Sequence, residues 1–449
     1  MTLGRSVVLA LLLAACKAPG DGVIALEGAT LINGSGGRPV EDALLLVKAG
    51  HIEVAARVNE VKVPRGASVL SLTGKTIIPG LIDSHAHVER WAVERYLVWG
   101  VTTVRDLGAS PTDSALALRG ALNLGSVLGP RMFTAGAMID GVPPTYPAAT
   151  GVATPAQGRQ AVDQRAVAGT DLLKIYTKIT PQLLAAIMDE AATLRLPVAA
   201  HLGKTDAITA ARAGVVSLEH MAGVVQAAAP DPAPFFAAHD RFLAGWTLEE
   251  KGWAGLDSAA VARVARALAA THVALVPTLV LHETLSRLDN PTLPSRPGME
   301  DVPATVASVR DVAGLLERAG WRPADFQAFR RSRTRQDQFV REFKRAGGLI
   351  ATGSDAANQL LVPGLSLHEE MSLLVAAGLT PLEAITAATR RGAQLLRADS
   401  LGVLAPGKVA DLVVLDGDPV KNIGATRRIA WVMVRGRLIQ PDSLRRTWH

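Results

Sequence analysis

Six side chains able to hold a metal ion, or to become able to, stand at the ends of apolar runs. His85 and His87 close Ile77-Ile78-Pro79-Gly80-Leu81-Ile82-Asp83-Ser84, and Lys174 sits in Leu172-Leu173-Lys174-Ile175-Tyr176. His201 follows Val198-Ala199-Ala200, His220 follows Leu218-Glu219, and Asp355 follows Ala351-Thr352-Gly353-Ser354. Side chains two apart on a strand face the same way, so His85 and His87 can reach one ion. That pair alone is a weak signal, and each later residue alone reads equally well as a satisfied core histidine or a salt-bridged lysine. Together, on five strand ends, they point to one site, because a charged group finishing an apolar strand costs stability unless it has a partner. Imidazole and oxygen donors suit zinc, with manganese or cobalt as alternatives. The chemistry of such a set is metal-assisted hydrolysis.

Strands must deliver these groups. The sequence alternates apolar strands with alanine-rich helical stretches, the signature of repeated β/α units. Eight strands are expected: Thr76 to His87, Thr102 to Leu107, Arg131 to Ala137, Leu172 to Tyr176, Pro197 to Leu202, Val216 to Met221, Ala274 to Val280 and Leu349 to Asp355. Helical periodicity is expected over Pro181 to Leu194 and Pro381 to Leu395, each with proline in the first turn. This predicts an α/β fold, a (β/α)8 TIM barrel. Short alternating strands with glycine-rich turns fill Val23 to Leu72, too little for a stable domain. The strands Ala410 to Leu415 and Trp431 to Arg437 supply the rest, giving a discontinuous β-sandwich built from both ends of the chain. The expected division is 1–15 as a signal peptide, 16–75 and 396–449 as sandwich, and 76–395 as barrel. Two long connections, Ala222 to Ala259 and His282 to Gly348, are expected over the barrel mouth.

The 449 residues, 49% hydrophobic and 20% charged, suffice for a large core. The net charge of +6 is scattered and aromatics are 4%, so no base-stacking or phosphate-tracking pattern emerges and nucleic acid is not an expected partner. The one dense basic run, Arg330 to Arg335, is expected to be a solvated helix face. The single cysteine, Cys16, excludes an internal disulfide and any cysteine-based metal site. It follows a short basic start, an apolar run and Leu13-Ala14-Ala15, and so resembles the lipobox of bacterial lipoproteins. That resemblance implies cleavage before Cys16, lipidation there, and a membrane-tethered protein on the periplasmic or extracellular side. Lys17 in the next position favours the outer membrane.

Beyond the ligand set, the chain carries Pro79-Gly80-Leu81-Ile82-Asp83, Gly100-Val101-Thr102-Thr103-Val104-Arg105-Asp106, Ser217-Leu218-Glu219-His220, Thr380-Pro381-Leu382-Glu383-Ala384 and Gly407-Lys408-Val409-Ala410-Asp411-Leu412-Val413-Val414. With these it resembles the amidohydrolase superfamily, in the binuclear group of imidazolonepropionase-like and Xaa-Pro or Xaa-Arg dipeptidase-like enzymes. The resemblance implies that His85, His87 and Asp355 bind the more buried of two divalent ions, and His201 and His220 the more exposed. Lys174 would bridge them as a CO2-derived carbamate. It further implies a bridging hydroxide as nucleophile, with Asp355 as general base and then general acid, cleaving an amide in a dipeptide or N-acyl amino acid. The same site could instead serve a lactone, cyclic amide or phosphotriester. A non-catalytic binding lipoprotein is a remoter alternative, since such descendants usually lose ligands, and so is a mononuclear deaminase-like site.

Tyr176, on the face of Lys174, and Tyr146, in the loop Asp140 to Pro147, are candidates for holding substrate. Leu202 stands where many dipeptidase-like relatives carry tyrosine, and the Asp140 to Pro147 loop lacks the histidine such relatives often place there. Ser354 and Glu219 are expected to orient ligands from behind, with Glu219 pointing out of the barrel if His220 points in. Arg105 is expected to be structural, and His282 and His368 ordinary loop or helix histidines. Association into a homo-oligomer is left open.

Overall fold

A computed structural model describes residues 22–108 and 110–448; the signal-peptide stretch and Cys16 lie outside the described residues. The chain opens with β1 (Ile24–Leu31), β2 (Val40–Lys48), β3 (His51–Arg57), β4 (Ser68–Ser71) and β5 (Thr76–Pro79). The barrel strands follow: β6 (Leu81–Ala86), β7 (Val101–Asp106), β8 (Arg131–Thr134), β9 (Ile139–Gly141), β10 (Thr150–Val152), β11 (Leu173–Ile175), β12 (Val198–Ala200), β13 (Ser217–Glu219), β14 (Ala274–Val276) and β15 (Leu349–Ile350). β16 (Leu412–Leu415), β17 (Ile429–Val434) and β18 (Arg437–Ile439) return to the first group.

The two ends of the chain form one folded-over sheet in the order β18-β17-β16-β5-β1-β2-β3, with β4 also on β1. The first half of β1 pairs in parallel with β4 and its second half with β5. The register breaks between Glu27 and Ala29, at Gly28, whose φ of +84° is open to glycine and costly for other residues. Apolar residues of both ends, such as Leu26, Leu45, Leu412 and Val414, share a core.

The apolar run expected as one strand, Thr76 to His87, is two. Thr76–Pro79 pairs with β16 in the sandwich, and only Leu81–Ala86 enters the barrel beside β7. The barrel therefore begins after Gly80 rather than at residue 76. At Gly80 the backbone switches partners: its own N–H donates to Asp411 O, and the next, Leu81 N–H, to Gly100 O. A Cβ at Gly80 would overlap the side chain of Thr102, so the switch passes through glycine.

The barrel strands are parallel. They run β6-β7-β8 and then β9-β11-β12-β13-β14-β15, with β10 outside on β9. Asp171 N–H donating to Thr134 O joins the two arcs, and Ser84 N–H donating to Thr352 O closes the ring. The long connections form helices: Phe242–Gly252 and Val312–Ala319 line the mouth, and Pro323–Arg345 packs on the outer helix Ser258–Ala269. Helix Pro323–Arg345 corrects the expected solvated basic face: Arg330 and Arg331 are exposed, but Ser332 and Arg333 are buried. Arg333 donates to Gln336, Glu283 and Asp337 from inside the packing. Among the described residues no helix is long and apolar enough to cross a membrane.

Candidate metal centre

The strand ends gather the expected residues at one end of the barrel. Asp355 Oδ1 faces His85 Nε2 at 3.1 Å and His87 Nε2 at 3.0 Å, and one donor atom from each of the three residues lies within 4.8 Å of the others. The His220 ring centroid is 4.3 Å from that of His85 and 4.7 Å from that of His201. Lys174 is buried in the floor. His85 Nε2, His201 Nε2, Lys174 Nζ and Asp355 Oδ1 are buried and, among the described residues, make no hydrogen bond. Leaving such atoms unmet costs about 1–3 kcal/mol each, more for charged ones. Converging unmet donors of these types fit divalent cations.

Backbone geometry brings these groups inward. Ser217 and Glu219 share one face of β13, and at His220 the chain takes φ +59° and breaks the alternation. This corrects the expectation for Glu219. It is fully buried, and its Oε2 accepts from His85 Nδ1 at 2.6 Å. Its Oε1 accepts from Arg105 Nη2 at 2.9 Å and from Ser217 Oγ. Burial alone would raise the Glu219 pKa, but Arg105 and His85 hold the carboxyl well below its usual range. With Nδ1 committed to Glu219, His85 offers Nε2 to the cavity. His220 is held likewise, its Nδ1 2.7 Å from Thr278 Oγ1. Ser354 reaches the ligands only through the backbone: its N–H lies 3.2 Å from His85 O, and its N–H and hydroxyl donate to Asp83, which in turn accepts from the His85 N–H.

Burial lowers the Lys174 pKa to about 8, partly countered by Glu219 and Asp355. For Asp355 burial raises the pKa, and His220, His85 and His87 outweigh it, keeping the carboxylate ionised. His282 is buried behind the site. Its Nδ1 meets Glu250 at 2.8 Å and its Nε2 donates to His220 O at 3.1 Å. His368 lies elsewhere, between Thr426 and Trp99.

Above the floor opens a cavity of about 840 Å³, lined by the six candidate ligands and by both Tyr146 and Tyr176. Tyr176 stacks obliquely near His201, with centroids 4.6 Å apart, and Tyr146 lies 5.5 Å from Tyr176. Phe242 and Trp246, whose rings lie 5.9 Å from His201 and 6.1 Å from His220, join the site unforeseen. They stand on a helix within the long connection Ala222 to Ala259, and nothing local marks them as site residues.

A parallel barrel with this cluster at its strand ends defines a hydrolase of the metal-assisted class. Residues 76–439 match the model of the amidohydrolase family, and the chain belongs to it. Over 84 residues it is 37% identical to the imidazolonepropionase of Pyrobaculum arsenaticum, a match spanning 19% of this chain and 21% of that one. Among solved structures it is similar to a prolidase candidate from Bifidobacterium longum, with TM-score 0.71, 24% identity and 95% of this chain and 99% of that one covered. It is also similar to a Xaa-Pro dipeptidase with bound methionine in the active site, with TM-score 0.67, 22% identity and coverage of 93% and 100%. A bottromycin amidohydrolase gives TM-score 0.70, 23% identity and coverage of 95% and 89%. At these identities the likeness to the solved structures is one of fold.

Proposed function

We propose that this protein is a binuclear metal-dependent hydrolase that cleaves an amide bond in a dipeptide or N-acyl amino acid. The observation that carries the reading is the convergence of unmet, buried donors from His85, His201, Lys174 and Asp355 on the floor of one cavity. His85, His87 and Asp355 would hold one divalent ion, and their imidazole and carboxylate donors suit zinc. His201, His220 and a carbamate on Lys174 would complete a second position. Two such ions supply a polarised carbonyl and a water whose pKa falls toward about 7.

The chain's own residues do the rest. Lys174 Nζ, desolvated and with its pKa near 8, is available as the neutral amine that attacks CO2. The new N–C bond forms as a proton leaves, turning a cation that repels metals into an anionic oxygen donor. Asp355 takes the proton of the attacking water and passes it to the leaving nitrogen. Glu219 and Thr278 fix the ring orientations of His85 and His220 throughout. Tyr176 and Tyr146 border the acyl position. The lipidated Cys16 and a periplasmic, membrane-tethered location belong to the same proposal and rest on the lipobox-like start of the chain.

The test is metal content per chain combined with a screen of Xaa-Pro, Xaa-Arg and hydrophobic dipeptides and N-acyl amino acids. Two metals with amide cleavage are expected. Lys174→Ala is expected to bind one metal or fewer and to lose activity by about 100-fold or more. Two metals with lactones or phosphotriesters cleaved and every amide refused would replace the amide reading.

A further inference from the structure

The cavity wall beside His201 and His220 carries two kinds of recognition group in adjacent positions. Phe242 and Trp246 face the site as part of an aromatic wall shared with Tyr146 and Tyr176. Arg241, the residue before Phe242, also lines the cavity. It is exposed, and no carboxylate lies within ion-pair distance of it among the described residues. It occupies the N-cap of the helix Phe242–Gly252, and no side chain caps that helix. The other arginine on the lining, Arg318, already has Asp311 at 3.5 Å. The acidic residue Glu89 follows β6, on the far side of the barrel from β12 and β13.

Resting on the amide reading above, we infer that the substrate ends in a large apolar amino acid with a free α-carboxylate, and that Arg241 binds this carboxylate. Arg241 and Phe242 are consecutive, so a charge and an apolar surface are read side by side. An anionic group and a bulky apolar group branching from one carbon, as in a C-terminal Phe, Leu or Met, match that pair. The Phe242 ring is 5.9 Å from His201, which sets this residue next to the bond that is cut. Arg241 is thus a specificity residue, and the preference for a carboxylate arises on the helix over the mouth rather than on the barrel strands.

The experiment uses the metal-loaded full chain and Arg241→Gln, with Arg241→Lys as the conservative variant. Substrates are N-acetyl-L-phenylalanine and N-acetyl-2-phenylethylamine, which lacks the carboxylate. In parallel, binding of L-phenylalanine and of L-phenylalaninol, its alcohol counterpart, is measured by calorimetry. Arg241→Gln is expected to lower kcat/KM for the carboxylate substrate through KM, about tenfold more than for the carboxylate-free one. Affinity for L-phenylalanine should fall by a similar factor, with partial recovery in Arg241→Lys. Equal losses for both substrates, or L-phenylalanine binding that ignores Arg241, would overturn the inference while leaving amide hydrolysis intact. If no amide is cleaved but L-phenylalanine binding still depends on Arg241, the carboxylate site stands and the amide reading falls.

Discussion

Glu219 carries more than its position suggests, because it joins a ligand histidine to a buried guanidinium. Glu219→Gln keeps the shape but leaves Arg105 as an uncompensated buried charge and deprives His85 of its anionic acceptor. The expected loss is about 3 kcal/mol of stability and about 10- to 100-fold in metal affinity, read by thermal melts and metal titration. Glu370 gives a prediction on pH. It is fully buried, accepts from the Val280 N–H, and has its pKa raised by burial from 4.5 to about 8. The folded chain thus holds this proton up to about pH 8, while the unfolded chain releases it near 4.5. Its contribution to stability is complete below the lower value and is lost as pH rises through the upper one. Between about pH 6 and about pH 9 the wild type should lose on the order of a few kcal/mol that Glu370→Gln does not lose, checked by urea melts at both ends. The clustering of the candidate ligands was legible because coordinating residues at the ends of apolar strands have few bland explanations in combination. The direction of Glu219 was not, since the left-handed turn at His220 breaks the alternation and depends on tertiary contacts at Thr278 and His282.

Elements were readable wherever periodicity changed. The eight barrel strands and the helix Pro181–Thr193 fall where apolar runs and helical spacing put them. The division of Ile77 to Ile82 between two sheets was hidden, because both halves are buried and uniformly apolar. What separates them is the close approach of Thr102 to Gly80, a contact between neighbouring strands that no single-strand pattern encodes. Gly80→Ala should therefore cost about 2 kcal/mol or more, and adding Thr102→Ala should recover part of it. A double-mutant cycle in chemical denaturation checks the coupling; strictly additive effects would reject it. The short strands β9, Ile139-Asp140-Gly141, and β10, Thr150-Gly151-Val152, also escaped the sequence, since each contains a glycine and neither carries an apolar run.

At the scale of the whole molecule, sandwich and barrel share a core. Ile78, Val413 and Leu415 from the sheet pack with Leu81, Val101 and Val104 from the barrel, and Arg131 on β8 pairs with Asp411 at 2.7 Å. Calorimetry should accordingly give one transition, and chelating the metals should move it down as a unit. Two separated peaks, only one of them sensitive to chelator, would contradict a single cooperative body. The joining of the chain's ends was foreseeable, since neither end alone has enough strands to bury a face; the aromatic cover over the mouth was not.

The ion pair between Lys75 and Asp416 joins residues 341 apart, and it marks a fact about time as well as space. While the chain is being made, the strand β5 waits beside an empty edge until its distant neighbour β16 emerges. The nascent protein therefore carries an unfinished sheet while the barrel strands between β5 and β16 are made. Folding of this sheet can be completed only after β16 has emerged, which leaves the β5 edge open to other strands during translation.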